Sequence, residues 1–222
     1  MADEITPREF QEAAGVEEWR VVGDGGCAFY PTASFAESAR LVDAIARLDG
    51  VEEHPPKVDI RPGGLTVRLL TERADHFGMS MADVAMARRV SDAARRLGLS
   101  GDPSAVQSIL VIPGAPDRAA VIPFWQAVLD YRPRPDSPDE DLVDPRDRGP
   151  AFWFEAMDEP RPGDGGAIHV AVWVPREQAE ARVAAALDAG GHLVRDDFAP
   201  AWWTLADPFG NEVDVATALP RE

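Results

Sequence analysis

The chain has one cysteine, Cys27, and one lysine, Lys57. A single cysteine excludes an intramolecular disulfide and fits a reducing compartment, so a cytoplasmic location is expected. Positive charge is scarce: 22 Lys and Arg face 39 Asp and Glu, giving a net charge of −17 and a pI near 4.6. That balance excludes a phosphate-tracking surface, which needs clustered Lys and Arg, so no nucleic-acid partner is expected. The acidity serves solubility instead. No apolar run approaches the roughly 18 residues needed to span a bilayer. The segment from Met1 to Trp19 is charged and lacks the apolar stretch of a signal peptide. No membrane partner is expected. Gly23 to Gly26 is not followed by Gly-Lys-Ser/Thr, so it is not a phosphate loop. Cys27 has no histidine near it in sequence and carries no nucleophile signature.

What is present is length and pattern. With 222 residues, 45% of them hydrophobic, the chain can build two cores of about 100 residues each. In the first half, Pro7 to Ala14 is expected as a short helix. Trp19 to Val22 and Cys27 to Tyr30 are expected as strands around a Gly-rich turn. Ser34 to Leu48 carries Phe35, Leu41, Val42, Ile45 and Leu48 near helical spacing. Leu65, Val67 and Leu69 alternate with Thr66 and Arg68, the pattern of a half-buried strand within Arg61 to Leu70. Ser80 with Asp83 opens a helix by an S-x-x-D start; Met86, Val90, Ala93 and Leu97 form its stripe, and Gly98 ends it. These elements give an α+β layer with an antiparallel sheet and helices on one face. Gly98 to Ser104 has two Gly, one Pro and no apolar periodicity, so a linker is placed at 100–104 between domains 1–99 and 105–222.

The second half contains an internal repeat. Val106 to Ile112 reads as a strand closed by Pro113, Asp117 to Leu129 as a helix, and Pro150 to Ala156 as a strand. The order then restarts with the strand Ile168 to Val174 closed by Pro175. A helix from Arg176 to Ala189 follows, then strands Trp202 to Leu205 and Glu212 to Ala216 around a turn at Asp207 to Asn211. Two βαβββ units fit this order. Pro133 to Gly149 and Asp158 to Gly166 are expected as loops, and His192, after Gly190-Gly191, as a surface turn residue.

Three pieces of the first half occur in an order that resembles the pterin-4a-carbinolamine dehydratases. They are Glu53-His54-Pro55-Pro56, then Leu65 to Thr71, then Gly78-Met79-Ser80-Met81-Ala82-Asp83. The resemblance spans about residues 15 to 97. It implies a small α+β domain, often oligomeric, that removes water from 4a-hydroxytetrahydropterin with histidines moving the protons and no metal. Carried over by position, His54 matches the first residue of the His-His-Pro motif and Pro55 stands where its second histidine would be. Thr71-Glu72 matches a Thr-His pair, so Glu72 replaces a third histidine. His76 lies in a two-residue insertion before Gly78 and could take over for it. Asp83 fits the Gly-Leu-Thr-x-x-Asp motif. The resemblance therefore assigns proton transfer to His54, Asp83, Glu72 and His76. Asp83 is equally explained by helix capping, and His54 by a loop position beside two prolines.

Asp207-Pro208-Phe209-Gly210-Asn211, after a strand, and Phe124-Trp125-Gln126-Ala127-Val128-Leu129 resemble the vicinal-oxygen-chelate class, which includes glyoxalases and bleomycin-resistance proteins. This resemblance covers about residues 104 to 218. It implies paired βαβββ modules forming a cupped sheet around one site, in many members with a divalent metal that stabilises an enolate-like charge. The corresponding positions here are Gln107, Glu155, His169 and Asp214. A His, two carboxylates and an amide suit an octahedral divalent ion. The other reading is a metal-free cavity lined by Trp153, Trp173, Trp202 and Trp203, holding an antibiotic or a metabolite; for the protein as a whole a small-molecule partner, a pterin or another metabolite, is expected. Trp202 and Trp203 are adjacent on one strand, so at most one faces the cup. A homodimer is expected from the pairing habits of both families. The Ala-, Arg-, Asp-, Gly- and Pro-rich composition with scarce lysine points by association to a high-GC bacterial source. Three functions stay open: a dehydratase-type hydro-lyase, a metal-dependent oxygen-chelate enzyme, and a non-catalytic small-molecule binding or resistance protein.

Overall fold

The computed structural model describes residues 3–157, 168–206 and 212–218. The chain divides into two compact units, Met1–Val106 and Gln107–Glu222. Among the described residues no helix is long and apolar enough to cross a membrane.

The first unit runs β1 (Glu4–Ile5), α1 (Pro7–Glu12), β2 (Arg20–Val22), β3 (Gly25–Pro31), α2 (Phe35–Ile45), β4 (Lys57–Arg61), β5 (Gly64–Leu69), β6 (Thr71–Arg73), β7 (His76–Ser80) and α3 (Met81–Arg96). It is α+β, with antiparallel strands ordered β2-β3-β5-β4 in one sheet and β1-β7-β6 in another. Leu65, Val67 and Leu69 of β5 are buried by the alternation that the sequence shows, and α2 and α3 both pack on that strand. Leu41 and Ile45 of α2 and Val84, Ala87 and Val90 of α3 supply the helical side of the core. Each buried Leu, Ile or Val among them contributes about 1.5–3 kcal/mol. Helix α2 starts where the Ser34 hydroxyl accepts the Glu37 N–H at 3.2 Å, as an N-cap should. Sequence reading missed β1, β4 and the β6–β7 hairpin, all of five residues or fewer, too short for a period to show. The segment expected as a linker bonds to this unit: Gly101 N–H donates to Glu18 at 2.9 Å and Asp102 N–H to the Phe29 carbonyl at 2.7 Å.

The second unit runs β8 (Ser108–Ala115), α4 (Arg118–Leu129), β9 (Arg132–Pro133), β10 (Asp141–Val143), β11 (Ala151–Trp153) and β12 (Glu155–Ala156). It then repeats the order with β13 (Ile168–Trp173), α5 (Arg176–Asp188), β14 (His192–Arg195), β15 (Trp202–Ala206) and β16 (Glu212–Ala216). The strands form one cupped sheet, β14-β15-β16-β13-β8-β11-β10-β9, with β12 continuing beside β8. The two modules meet at β8 and β13, which pair antiparallel with Val170 opposite Val111 and His169 opposite Ile112. From that centre each module lays down its strands in the same order, the arrangement expected of paired βαβββ units.

Period-2 alternation sorts the side chains into two faces. Phe152 and Phe154 pack with Ile122 and Leu142 under α4. Val213, Val215, Leu205 and Trp203 pack with Val174, Ala179 and Val183 under α5. The alternate residues line the cup. Pro113 does not close β8 but lies inside it. Extending the β11 and β12 registers aligns it with Phe154, where the ladder is broken, so its missing N–H leaves no ladder bond unmade. Pro133 to Gly149, expected as a loop, holds β10, whose Leu142 is fully buried; its polar flanks hid it. His192 opens β14 and is exposed. The Asp207 to Asn211 turn and the whole of the expected 158–166 loop lie outside the described residues.

Candidate functional site

In the first unit the S-x-x-D start of α3 makes more than a cap. Asp83 is 0% exposed, so its carboxylate must find partners within the protein. Its Oδ2 accepts the Ser80 N–H at 2.7 Å, with the Thr71 hydroxyl at 2.7 Å and the Ser80 hydroxyl at 3.0 Å. Its Oδ1 lies 2.7 Å from His54 Nε2. One oxygen is held by the helix start and the hairpin, and the other orients the imidazole, whose side chain keeps 20% of its exposure. A partly exposed imidazole held by a buried carboxylate has the geometry that a base and its orienter require. With Nε2–H directed to Asp83, Nδ1 is the ring nitrogen left without that contact.

The hairpin decides the fate of the other two candidates. Thr71 pairs with Gly78 and Arg73 with His76, while Glu72 pairs with Phe77. Thr71, His76, Gly78 and Ser80 therefore share one face, and Glu72 lies on the other, exposed. Glu72 does not face the Asp83 network, so its expected proton role is corrected. His76 is on the right face, two residues and about 7 Å along the strand from Gly78. Its Nδ1 is 3.9 Å from Glu4 Oε2, and its Nε2 is covered and meets no hydrogen-bond partner among the described residues. Thr71 is the contributor that sequence reading left without a role; its place before Glu72 in the matched motif was the signal. Cys27 on β3 is buried, and burial pushes its thiol up to about 11, which suits a core residue and not a nucleophile.

In the second unit the cup holds a cavity of about 590 Å³, within the usual range of roughly 300–1,000 Å³ for small-molecule sites. Trp153 of β11, Trp173 of β13 and Trp202 of β15 line it. Trp202 also stacks on Phe198, with centroids 4.3 Å apart and planes at 21°. Trp203 has the opposite parity and packs with the α5 cluster, so it is corrected from a ligand contact to a core residue. Leu110 and Ile112 of β8 form an apolar part of the wall.

Three of the four metal candidates, Glu155, His169 and Asp214, line the same cavity. His169 Nε2 lies 3.3 Å from Asp214 Oδ2, and the Thr204 hydroxyl donates to Asp214 Oδ1 at 2.7 Å. Thr204 faces Asp214 directly across β15–β16. Two-residue spacing from Trp202 was the sequence signal for it. Gln107 precedes β8 and has the parity opposite to Leu110 and Ile112. Counting back from Pro113 misplaced it by one residue, and in a strand one residue changes the face. Among the described residues no three His, Cys, Asp or Glu side chains group closely enough to hold an ion. Gln107, Glu155, His169 and Asp214 thus do not fit the expected metal, and the cup offers an aromatic cavity with a His–Asp–Thr hydrogen-bonded set.

The two units define a small α+β domain with a histidine–aspartate pair, followed by a cupped domain of paired βαβββ modules. Residues 3–93 match the family model for pterin 4 alpha carbinolamine dehydratase, and residues 110–216 match that for a glyoxalase-like domain. Each half of the chain is thus similar to a different family. No curated protein matches it. Among solved structures, an NAD-dependent benzaldehyde dehydrogenase from Legionella pneumophila shares 18% identity at a TM-score of 0.37, covering 49% of this chain and 97% of its own. A glyoxalase/bleomycin resistance protein/dioxygenase superfamily member from Vibrio splendidus 12B01 shares 17% identity at a TM-score of 0.35, covering 50% and 99%.

Proposed function

We propose that the first domain is a hydro-lyase of the 4a-hydroxytetrahydropterin dehydratase type, with His54 as its proton carrier. The observation that supports this reading most is the 2.7 Å contact of His54 Nε2 with a fully buried, otherwise saturated Asp83. Dehydration removes the 4a-hydroxyl and the N5 proton together as water. An imidazole near neutral pH can take the one proton and return it to the departing hydroxyl. Asp83 fixes the tautomer that leaves Nδ1 as the acceptor, and Thr71 and Ser80 hold Asp83 in place. Because Pro55 and Glu72 stand at the family's other histidine positions, His54 carries the transfer without them. Stopped-flow dehydration of a 4a-hydroxytetrahydropterin tests this. His54→Ala should lose about 10²–10⁴-fold of the rate, the usual contribution of a positioned acid–base group. A wild-type chain no faster than buffer would end the reading.

A second role is favoured by the cup. We read it as a metal-free site for a small planar ligand, supported by the cavity between Trp153, Trp173 and Trp202. Quenching of tryptophan emission by a bound ligand, lost in Trp202→Ala, tests that role. An apolar cavity dye that fails to bind would remove it.

A further inference from the structure

Within the cup one group stands out by what it lacks. Glu155 is half-buried and faces the cavity, and among the described residues no hydrogen bond or ion pair meets its carboxylate. Asp214, by contrast, has Thr204 on one oxygen and His169 by the other. A half-buried carboxylate left open in a concave aromatic site is suited to a ligand that donates to it. Two parallel N–H groups on one edge of a ring satisfy both carboxylate oxygens at once, the strongest form of such a contact. Trp153 lies two residues before Glu155 on the same cup-facing parity. A ring stacked on that indole has its edge within reach of the carboxylate. Arg195 and His169 also line the cavity and can donate to a ring carbonyl. Donor edge, planar faces and carbonyl together describe a 2-amino-4-oxopyrimidine fused to a second ring.

We propose that the cup of the second domain binds a 2-amino-4-oxopyrimidine heterocycle of the pterin kind, with the amino and ring N–H edge on Glu155 and the ring against Trp153. This rests on reading the cup as a small-molecule site. The same ligand class would then serve both domains, the first converting a pterin and the second retaining one. Guanine carries the same edge, so the source must be separated by experiment.

The test is calorimetric titration of the full chain, in a His54→Ala background, with oxidised biopterin and in parallel with guanosine. An apolar fluorescent naphthalene dye serves as an independent probe of the aromatic wall. Expected is a biopterin site whose affinity falls at least tenfold in Glu155→Gln, beside any uptake by the first domain that this substitution leaves unchanged, since a charge-assisted bidentate contact is worth about that or more. The dye should bind wild type and Glu155→Gln alike, which also certifies that the variant's cup is formed. Biopterin binding unaffected by Glu155→Gln overturns the proposal, as does guanosine binding tighter than biopterin. Dye binding without biopterin binding overturns the ligand class and leaves the small-molecule reading standing. Failure of both removes the two together.

Discussion

Replacing Asp83 should have two separable consequences, because its two oxygens do different work. In Asp83→Ala the Ser80 N–H and the Thr71 and Ser80 hydroxyls, at 2.7, 2.7 and 3.0 Å in the native protein, lose their acceptor. The two hydroxyls sit 2.6 Å apart and can still bond each other. The loss is then a buried charged network reduced to one neutral pair, plus a helix cap, about 3–5 kcal/mol in all. Cys27 offers the assay. It is the only cysteine and is buried on β3 of the same unit, so labelling by a disulfide reagent requires that unit to open. At about 1.4 kcal/mol per decade, the labelling rate should rise roughly a hundred- to several-thousandfold if opening precedes labelling in equilibrium. In Asp83→Asn the amide oxygen can keep the three donors while its NH₂ faces His54. His54 must then accept at Nε2 and carry its proton on Nδ1, the wrong tautomer for a base there. Stability should fall by only about 1–2 kcal/mol, and dehydration should fall far more than labelling rises. An Asp83→Ala labelling rate within threefold of wild type would refute the assigned network. Wild-type turnover in Asp83→Asn would refute the role of the tautomer.

Three other outcomes follow from particular residues. Trp203→Ala should cost about 2–3 kcal/mol, less than the 3–5 of a fully buried tryptophan, whereas Trp202→Ala should spare stability and remove ligand-induced quenching; equal effects on melting would contradict the two-face sorting. Burial raises the Cys27 thiol from 9.0 to about 11, so the neutral thiol's contribution is intact below pH 9 and lost as pH climbs through 11. A rise of that size corresponds to about 3 kcal/mol, and the stability of wild type relative to Cys27→Ala, read by urea midpoints, should decline by that order across the interval. Tag-free protein should carry less than about one divalent ion per ten chains and melt unchanged after EDTA, since the cup's donors do not group as metal ligands do. A melting temperature that drops in EDTA and is restored by one divalent ion would reinstate a metal in the cup.

Much of this protein was written in its sequence. The alternation at Leu65, Val67 and Leu69, the stripe of α3 and the repeated strand–helix order in the second half are local patterns with a fixed period, and they determine the α+β class, the two cores and the paired modules. The motif pieces around His54 and Asp83 likewise marked both residues, because a short motif keeps its spacing whether or not the chain has folded. What only the tertiary structure decided is orientation across strands. Glu72 and His76 are four residues apart, yet the hairpin register puts one on each face. Gln107 falls outside the cup by a single residue, and Trp202 and Trp203 part to opposite sides of one strand. Thr204 meets Asp214, and His169 comes within reach of it, only because β13, β15 and β16 lie side by side. A strand's period is two, so an error of one residue reverses every side chain, and only pairing with its neighbours fixes that choice.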